Sequence, residues 1–251
     1  MLLPLLFLLS PLQGQPSSGF LNPAADPDHH LTAGEFLKDL GGNFLGLINK
    51  QSIAPLVAGT AMTAIATAPE QQLERHFSRG EMWGMWSDPG KYIGNALTLS
   101  GASAALFGIS RKSKDRKFRS LSYSLVQGMI MTPAITEPMK YGFHRLRPDG
   151  QDHRGFPSGH AVQSFMFATV VAEHYGWKAA IPSYLIAAYV SSTRMEERKH
   201  HLTDVAAGSA IGFLVGQTVS RRMRSEKPSR FGWQVYPSGG GIAGSLQVSL
   251  R

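Results

Sequence analysis

The amino-acid sequence predicts an all-α fold, a helical bundle with a short C-terminal β-hairpin. Apolar residues recur at the three- to four-residue spacing of amphipathic helices across residues 32–222. The chain has 251 residues, enough to build one sizeable hydrophobic core, so we expect a single folded domain. Near the end, Leu246, Val248 and Leu250 alternate with other residues after a Pro-Ser-Gly-Gly-Gly turn, which predicts the hairpin.

The predicted helices follow one another from Thr32, which forms a capping box with Glu35. A polar stretch at 69–90 and a basic one at 111–119 indicate connections between helices. A long helix is expected to continue through Pro133 and Pro138. The predicted helices cover about 32–48, 52–68, 91–109, 120 to the mid-140s, 158–176, 178–193 and 203–222.

The N-terminal residues resemble a targeting segment. Residues 2–9 are wholly apolar, which fits a secretory signal and is too short to span a bilayer. We therefore expect export to the periplasm or cell envelope. The predicted organisation is a signal peptide or N-terminal anchor at 1–15, a linker at 16–31, the helical domain at 32–222 and a tail at 223–251 that holds the hairpin.

Composition limits the chemistry and the partners. The chain has no cysteine, which excludes disulfides, thiolate zinc sites and a cysteine nucleophile. Its net charge of +8 suits a phosphate-bearing substrate or an anionic membrane surface, and also fits an ordinary solubilising surface. No motif beyond charge indicates a nucleic-acid partner. Most apolar runs are shorter than the ~20 residues of a membrane span, which favours a water-soluble or peripherally bound bundle.

Two clusters contain residues suited to binding an anion. Lys140 and Arg147 lie seven residues apart, about two helical turns, so both cations occupy one face of a helix. Ser158 and Gly159 begin the next predicted helix, whose free N–H groups attract an anion. His160 follows in the first turn and suits proton transfer near neutral pH. Each cluster alone is equally typical of a charged surface or a capped helix.

A third cluster contains Arg194, His200 and Asp204. The histidine and the aspartate are one helical turn apart, so the carboxylate can fix the imidazole tautomer and leave the other nitrogen free to attack. Arg194 supplies a planar fork for phosphate. The cluster alone also fits a solvated charged turn, but the three clusters together supply what phosphoryl transfer requires.

These residues resemble the signature of the type 2 phosphatidic acid phosphatase superfamily, which includes bacterial acid phosphatases and vanadium haloperoxidases. The signature is K-x6-RP, then PSGH, then SR-x5-H-x3-D. Thr193 replaces its serine but keeps the hydroxyl, and only eight residues separate Pro148 from Pro157. The resemblance implies a bundle of the phosphatase type, with His200 as nucleophile, His160 as general acid, Asp204 orienting His200, and Lys140, Arg147, Ser158, Gly159 and Arg194 binding phosphate.

The resemblance implies a phosphatase that cleaves phosphate esters through a phosphohistidine, without a metal or other cofactor. The substrate is a lipid phosphate or a small phosphomonoester, and vanadate is expected to inhibit. His144, His153 and His201 lie near the clusters, but the neighbouring cations would repel a metal ion. The alternatives are a vanadium-dependent haloperoxidase and a non-catalytic envelope protein that binds phospholipid.

Overall fold

The computed structural model describes residues 24, 26, 28–77, 82–223, 231–238 and 241–248. The predicted targeting segment 1–15 and most of the linker 16–31 lie outside the described residues. The helices are α1 (Ala33–Gly46), α2 (Lys50–Ala66), α3 (Glu70–Phe77), α4 (Ser87–Ile93), α5 (Ala96–Ser110), α6 (Arg116–Phe143), α7 (Gly159–Tyr175), α8 (Trp177–Glu196) and α9 (Leu202–Met223), and the strands are β1 (Phe231–Ser238) and β2 (Gly241–Val248).

The helical class and the hairpin agree with the sequence prediction. The capping box forms at α1, because the Thr32 side chain accepts from the Glu35 N–H and the Glu35 carboxylate accepts from the Thr32 N–H. The helix α6 is 28 residues long and contains both Pro133 and Pro138. The strands β1 and β2 pair antiparallel, with Phe231 opposite Val248.

The two predicted connections are shorter than expected. The stretch 69–90 contains α3, a 3-10 turn at Gly84–Trp86 and the start of α4. The basic stretch 111–119 is a connection only to Asp115, whose side chain accepts hydrogen bonds from the N–H groups of Lys117 and Phe118 and so caps α6. The helix α3 has only Leu73 and Phe77 as large apolar residues, too few for the periodicity that the sequence prediction used.

The helix α7 lies at the centre of the bundle and contacts α6, α8 and α9. Glycines on one face of α9 allow its backbone to approach α7 closely. A Cβ at Gly212 would lie 2.2 Å from the Val162 carbonyl oxygen, and one at Gly208 would lie 2.8 Å from the Ser158 carbonyl oxygen. This contact holds the start of α7 against the start of α9, where the predicted site residues lie.

The bundle contains one apolar helix of membrane-span length, and apolar side chains are exposed on several other helices. One helix among the described residues, α9 with 22 residues, is long and apolar enough to cross a membrane, and the number is three if two bent helix pairs each count as one span. The prediction of short apolar runs is therefore wrong for α9. Large apolar side chains are also more than half exposed on four other helices: Leu45, Ile53, Val57, Ile65, Leu97, Ile109, Leu185 and Ile186.

Candidate active site

His200 lies in the turn between α8 and α9 and is only 5% exposed. Its Nδ1 lies 2.7 Å from the Gly155 carbonyl oxygen. A carbonyl oxygen only accepts, so Nδ1 carries the proton and Nε2 carries the free lone pair. Burial lowers the pKa of His200 to about 3, and the charges of Arg147, His160 and Lys140 act in the same direction. The imidazole is therefore neutral at physiological pH, as a nucleophile must be.

Asp204 lies behind His200 but does not take the predicted hydrogen bond. Its Oδ2 is 3.9 Å from His200 Nδ1, beyond hydrogen-bond distance, and the Gly155 carbonyl is the acceptor instead. The Asp204 carboxylate is bonded to Arg145 and to the His201 N–H, both at 2.8 Å. Gly155 therefore fixes the tautomer of His200, and Asp204 lies at ion-pair distance from it.

The three predicted phosphate-binding cations come from the end of α6, the following loop and the end of α8. Arg194 and Lys140 both lower the pKa of His160, and Arg147 and Lys140 both lower that of His200, so the cations share one space with the two histidines. A Cβ at Gly159 would lie 3.5 Å from Lys140 Nζ, in ordinary contact. The fold thus brings the predicted cations and the start of α7 together.

Each of these cations is paired with a nearby carboxylate. Lys140 Nζ lies 2.6 Å from Glu137. Arg147 Nε lies 2.8 Å from Asp152, and Arg194 pairs with Glu197. The three carboxylates occupy positions that phosphate oxygens would compete for. They were not predicted as part of the site, although each lies within five positions of its cation in the sequence.

Ser158 and His160 begin α7 as predicted. The Ser158 side chain caps the helix by accepting from the Ala161 N–H, and its own N–H donates to the Asp204 carbonyl at 3.1 Å, joining α7 to α9. His160 Nε2 is buried with no partner among the described residues. Burial and the charge of Arg194 lower the pKa of His160 to about 4, which a backbone hydrogen bond with Lys91 opposes.

One group of side chains among the described residues lies close enough to bind a cation: Glu70, Glu74 and His201. Glu70 already pairs with Arg145 at 2.7 Å and accepts from the Thr203 N–H at 3.0 Å. Glu74 is bonded to His201 Nδ1. These partners account for the charges and hydrogen bonds of the group.

Sequence reasoning missed the groups that support the site rather than form it. Gly155 contributes a carbonyl, which leaves no signature in a sequence. Glu70 lies in the stretch interpreted as a connection. Arg145 lies inside the K-x6-RP segment at an unspecified position, so its charge and its closeness to Arg147 were the signals available.

A neutral histidine with one free nitrogen, a second buried histidine and three converging cations form a site suited to phosphoryl transfer. Residues 149–227 match the family model of the PAP2 superfamily. This segment holds the second and third clusters, while Lys140 and Arg147 precede it. The match confirms the resemblance that the motifs predict.

Two curated relatives match about half of the chain. Lipid A 1-phosphatase of Porphyromonas gingivalis is 30% identical over 119 residues, which are 46% of this chain and 27% of that protein. Lipid A 4'-phosphatase of Helicobacter pylori is 30% identical over 133 residues, 49% of this chain and 64% of that protein. The chain thus spans less than two thirds of either relative.

A solved structure, a transmembrane PAP2 type phosphatidylglycerolphosphate phosphatase from Bacillus subtilis, is 19% identical. The similarity covers 92% of this chain and 100% of that one, with a TM-score of 0.38. The resemblance to the superfamily rests on the sequence match and the motifs.

Proposed function

We propose that this protein is a membrane-bound phosphatase that hydrolyses lipid phosphate monoesters through a phosphohistidine on His200, without a metal. The observation that carries the proposal is the hydrogen bond from His200 Nδ1 to the Gly155 carbonyl, which leaves Nε2 unprotonated. The superfamily match and the two lipid A phosphatases among the relatives support the reaction class.

The reaction has two steps. His200 Nε2 attacks phosphorus as the ester P–O bond breaks, and His160 protonates the leaving alcohol. Water then attacks phosphorus, His160 accepts its proton, and the N–P bond breaks to release inorganic phosphate. Lys140, Arg147 and Arg194 stabilise the charge on the phosphoryl oxygens in both steps.

His160 requires a proton that burial and the three cations disfavour in the empty pocket. A bound phosphate brings two negative charges beside these cations and opposes their effect on the histidine. Substrate and the catalytic proton therefore bind together. Vanadate, which resembles the transferring phosphoryl group, is expected to inhibit in the same pocket.

The test is acid-quench labelling with a radioactive phosphate ester. We expect phosphohistidine in the wild type and in His153→Ala, a control whose ring stacks on His144, but not in His200→Ala. His160→Ala should slow alkyl esters by about 10²–10⁴-fold and nitrophenyl phosphate far less, because nitrophenolate leaves without a proton. Label retained in His200→Ala, or equal losses for both esters in His160→Ala, would contradict the assigned roles.

An apolar groove beside the site supports a lipid substrate. It lies between α2 and α9, has a volume of about 810 Å³, and is lined mainly by apolar groups. Phe143 and Phe156 line it, and Phe156 immediately precedes the Pro157-Ser158 segment. Its polar lining includes Glu70, Arg145 and Thr203, the groups next to Asp204 behind His200. A groove of this size suits an acyl chain.

Thr60→Trp tests the groove, because Thr60 is exposed and lines it. We expect weaker turnover of a long-chain lipid phosphate in detergent micelles and unchanged turnover of nitrophenyl phosphate. Ile65→Trp is the matched control, since Ile65 is 71% exposed on the same helix outside the groove. Equal effects of Thr60→Trp on both substrates would remove the groove from the proposal.

Exposed apolar side chains cover the sides of the bundle, which fits insertion in a membrane. Release of the protein by carbonate washing would contradict membrane insertion.

A further inference from the structure

Asp204 is a fully buried carboxylate immediately behind the nucleophile, with its side chain 0% exposed. Its Oδ1 lies 2.8 Å from Arg145 Nη1, and its Oδ2 accepts from the His201 N–H at 2.8 Å. A buried carboxylate without a counter-charge would take up a proton and lose its electrostatic effect on His200. Arg145 is the cation that compensates it.

Arg145 bridges two carboxylates. Its Nη1 pairs with Asp204, while its Nη2 pairs with Glu70 at 2.7 Å. Glu70 also accepts from the Thr203 N–H at 3.0 Å, which fixes it against the first turn of α9. A guanidinium has a rigid fork that suits this double contact, whereas an ammonium would satisfy one partner at a time.

The same residue reaches His200 through the backbone. The Arg145 carbonyl accepts from the Gly155 N–H at 2.9 Å, and the Gly155 carbonyl accepts from His200 Nδ1. Arg145 therefore supports both groups that act on the nucleophile: its side chain holds Asp204, and its carbonyl holds Gly155.

The charges explain why this matters in the reaction. Glu70, Arg145 and Asp204 together carry one net negative charge. When Nε2 attacks phosphorus and Nδ1 keeps its proton, the imidazole ring becomes cationic. The Asp204 carboxylate, 3.9 Å from Nδ1, stabilises that cation as long as it remains ionised.

We propose that Arg145, held by Glu70, is a positioning residue that keeps Asp204 ionised and in place behind His200. This inference rests on the proposed phosphatase function. It assigns to Arg145 and Glu70 a role different from that of Lys140, Arg147 and Arg194, because their side chains are bonded to Asp204 and the start of α9.

A double-mutant cycle tests the proposal. We expect Arg145→Met to lower kcat by about 10–100-fold with little change in KM or in vanadate binding. In an Asp204→Asn background, Arg145→Met should have almost no further effect on kcat, because the carboxylate that Arg145 pairs with is absent. Arg198→Met is the matched control. The Arg198 side chain is exposed and donates to the Pro148 carbonyl in the same region. Its loss should change kcat by about twofold or less.

The pH dependence separates positioning from simple support of the fold. The charged and titratable groups around Asp204 are Arg145, Glu70, His200 and His201. Without Arg145, the carboxylates of Glu70 and Asp204 face each other and one of them holds a proton near neutral pH. The acidic limb of the pH profile of kcat should therefore move to higher pH. Adding Glu70→Gln should move the limb part of the way back. Additive losses in the cycle, or an unmoved limb, would overturn the proposal.

Stability gives a readout that does not depend on turnover. In Arg145→Met the folded state holds a carboxyl proton that the unfolded state releases, so stability relative to wild type should fall as pH rises from 5 to 8. Glu70→Gln should restore part of it. If the wild type hydrolyses no ester, the proposed function fails, but the pH dependence of stability still tests whether Arg145 pairs with an ionised Asp204. If Arg145→Met does not fold, Arg145→Lys should show the same shifts at smaller size, and their absence there would refute the inference.

Discussion

Two ionic networks flank His200, and they differ in sequence range and in the burial of their carboxylates. In front, Lys140, Arg147 and Arg194 pair with carboxylates that lie three to five residues away in the sequence and are 22–43% exposed. Behind, Arg145 pairs with Asp204 and Glu70, which are 59 and 75 residues away in the sequence and no more than 16% exposed.

The contrast shows how one site can both exchange an anion and hold a fixed charge. The front pairs form between near neighbours with some access to water, so a phosphate can displace the carboxylates at little cost to the fold. The back pairs join α3, the start of the loop after α6 and the start of α9. Breaking them would leave a buried charge uncompensated, which is strongly unfavourable. We therefore expect front substitutions to alter binding, and back substitutions to alter turnover.

Arg194→Met should have a larger effect than any other front-network substitution considered below. Arg194 is only 4% exposed, and its loss removes a forked donor from the phosphoryl oxygens. We expect kcat/KM for a phosphate ester to fall by about 10²–10³-fold, and vanadate inhibition to weaken in parallel. Steady-state kinetics with vanadate titration measure both quantities.

Arg145→Met provides the comparison for this result, because it removes the same charge and side-chain shape on the other side of His200. Vanadate inhibition should distinguish the two variants: weakened in Arg194→Met and retained in Arg145→Met. If both lose vanadate binding equally, the division into front and back networks is wrong.

The sequence predicts the front of the site better than the back. The helix start at Ser158 is a local pattern, and it forms as expected. The prediction that Lys140 and Arg147 share one helix face was wrong, because α6 ends at Phe143 and Arg147 lies in the following loop. The predicted bond between His200 and Asp204 was wrong because helical spacing gives closeness but not the competing acceptor. That acceptor, Gly155, is a backbone group, and the partner that Asp204 takes instead, Arg145, is set by the tertiary fold.

The fold shows the same limit. Long amphipathic helices such as α6 and the capping box at Thr32 follow from periodicity and end signals. The helix α3 was missed because its sequence, Glu70–Phe77, is largely polar, and its position is fixed by contacts with α8 and α9. Its apolar face consists of Leu73 and Phe77, and a helix of eight residues depends on tertiary contacts for its stability. Because Glu70 lies on this helix, missing α3 also concealed half of the back network.

The smallest expected effect is a gain in binding. Glu197 pairs with Arg194 and is 22% exposed, so it competes with a phosphate oxygen for the guanidinium. Glu197→Gln keeps the size and removes the charge, and should tighten inhibition by inorganic phosphate about two- to fivefold, the range of a partly exposed ion pair. Tighter product binding should also lower kcat where phosphate release limits turnover.

Glu196→Gln is the control, because Glu196 bonds the N–H groups of Trp83 and Gly84 instead. Unchanged phosphate inhibition in Glu197→Gln would mean that the front carboxylates do not compete with substrate, and the two networks would then differ only in location.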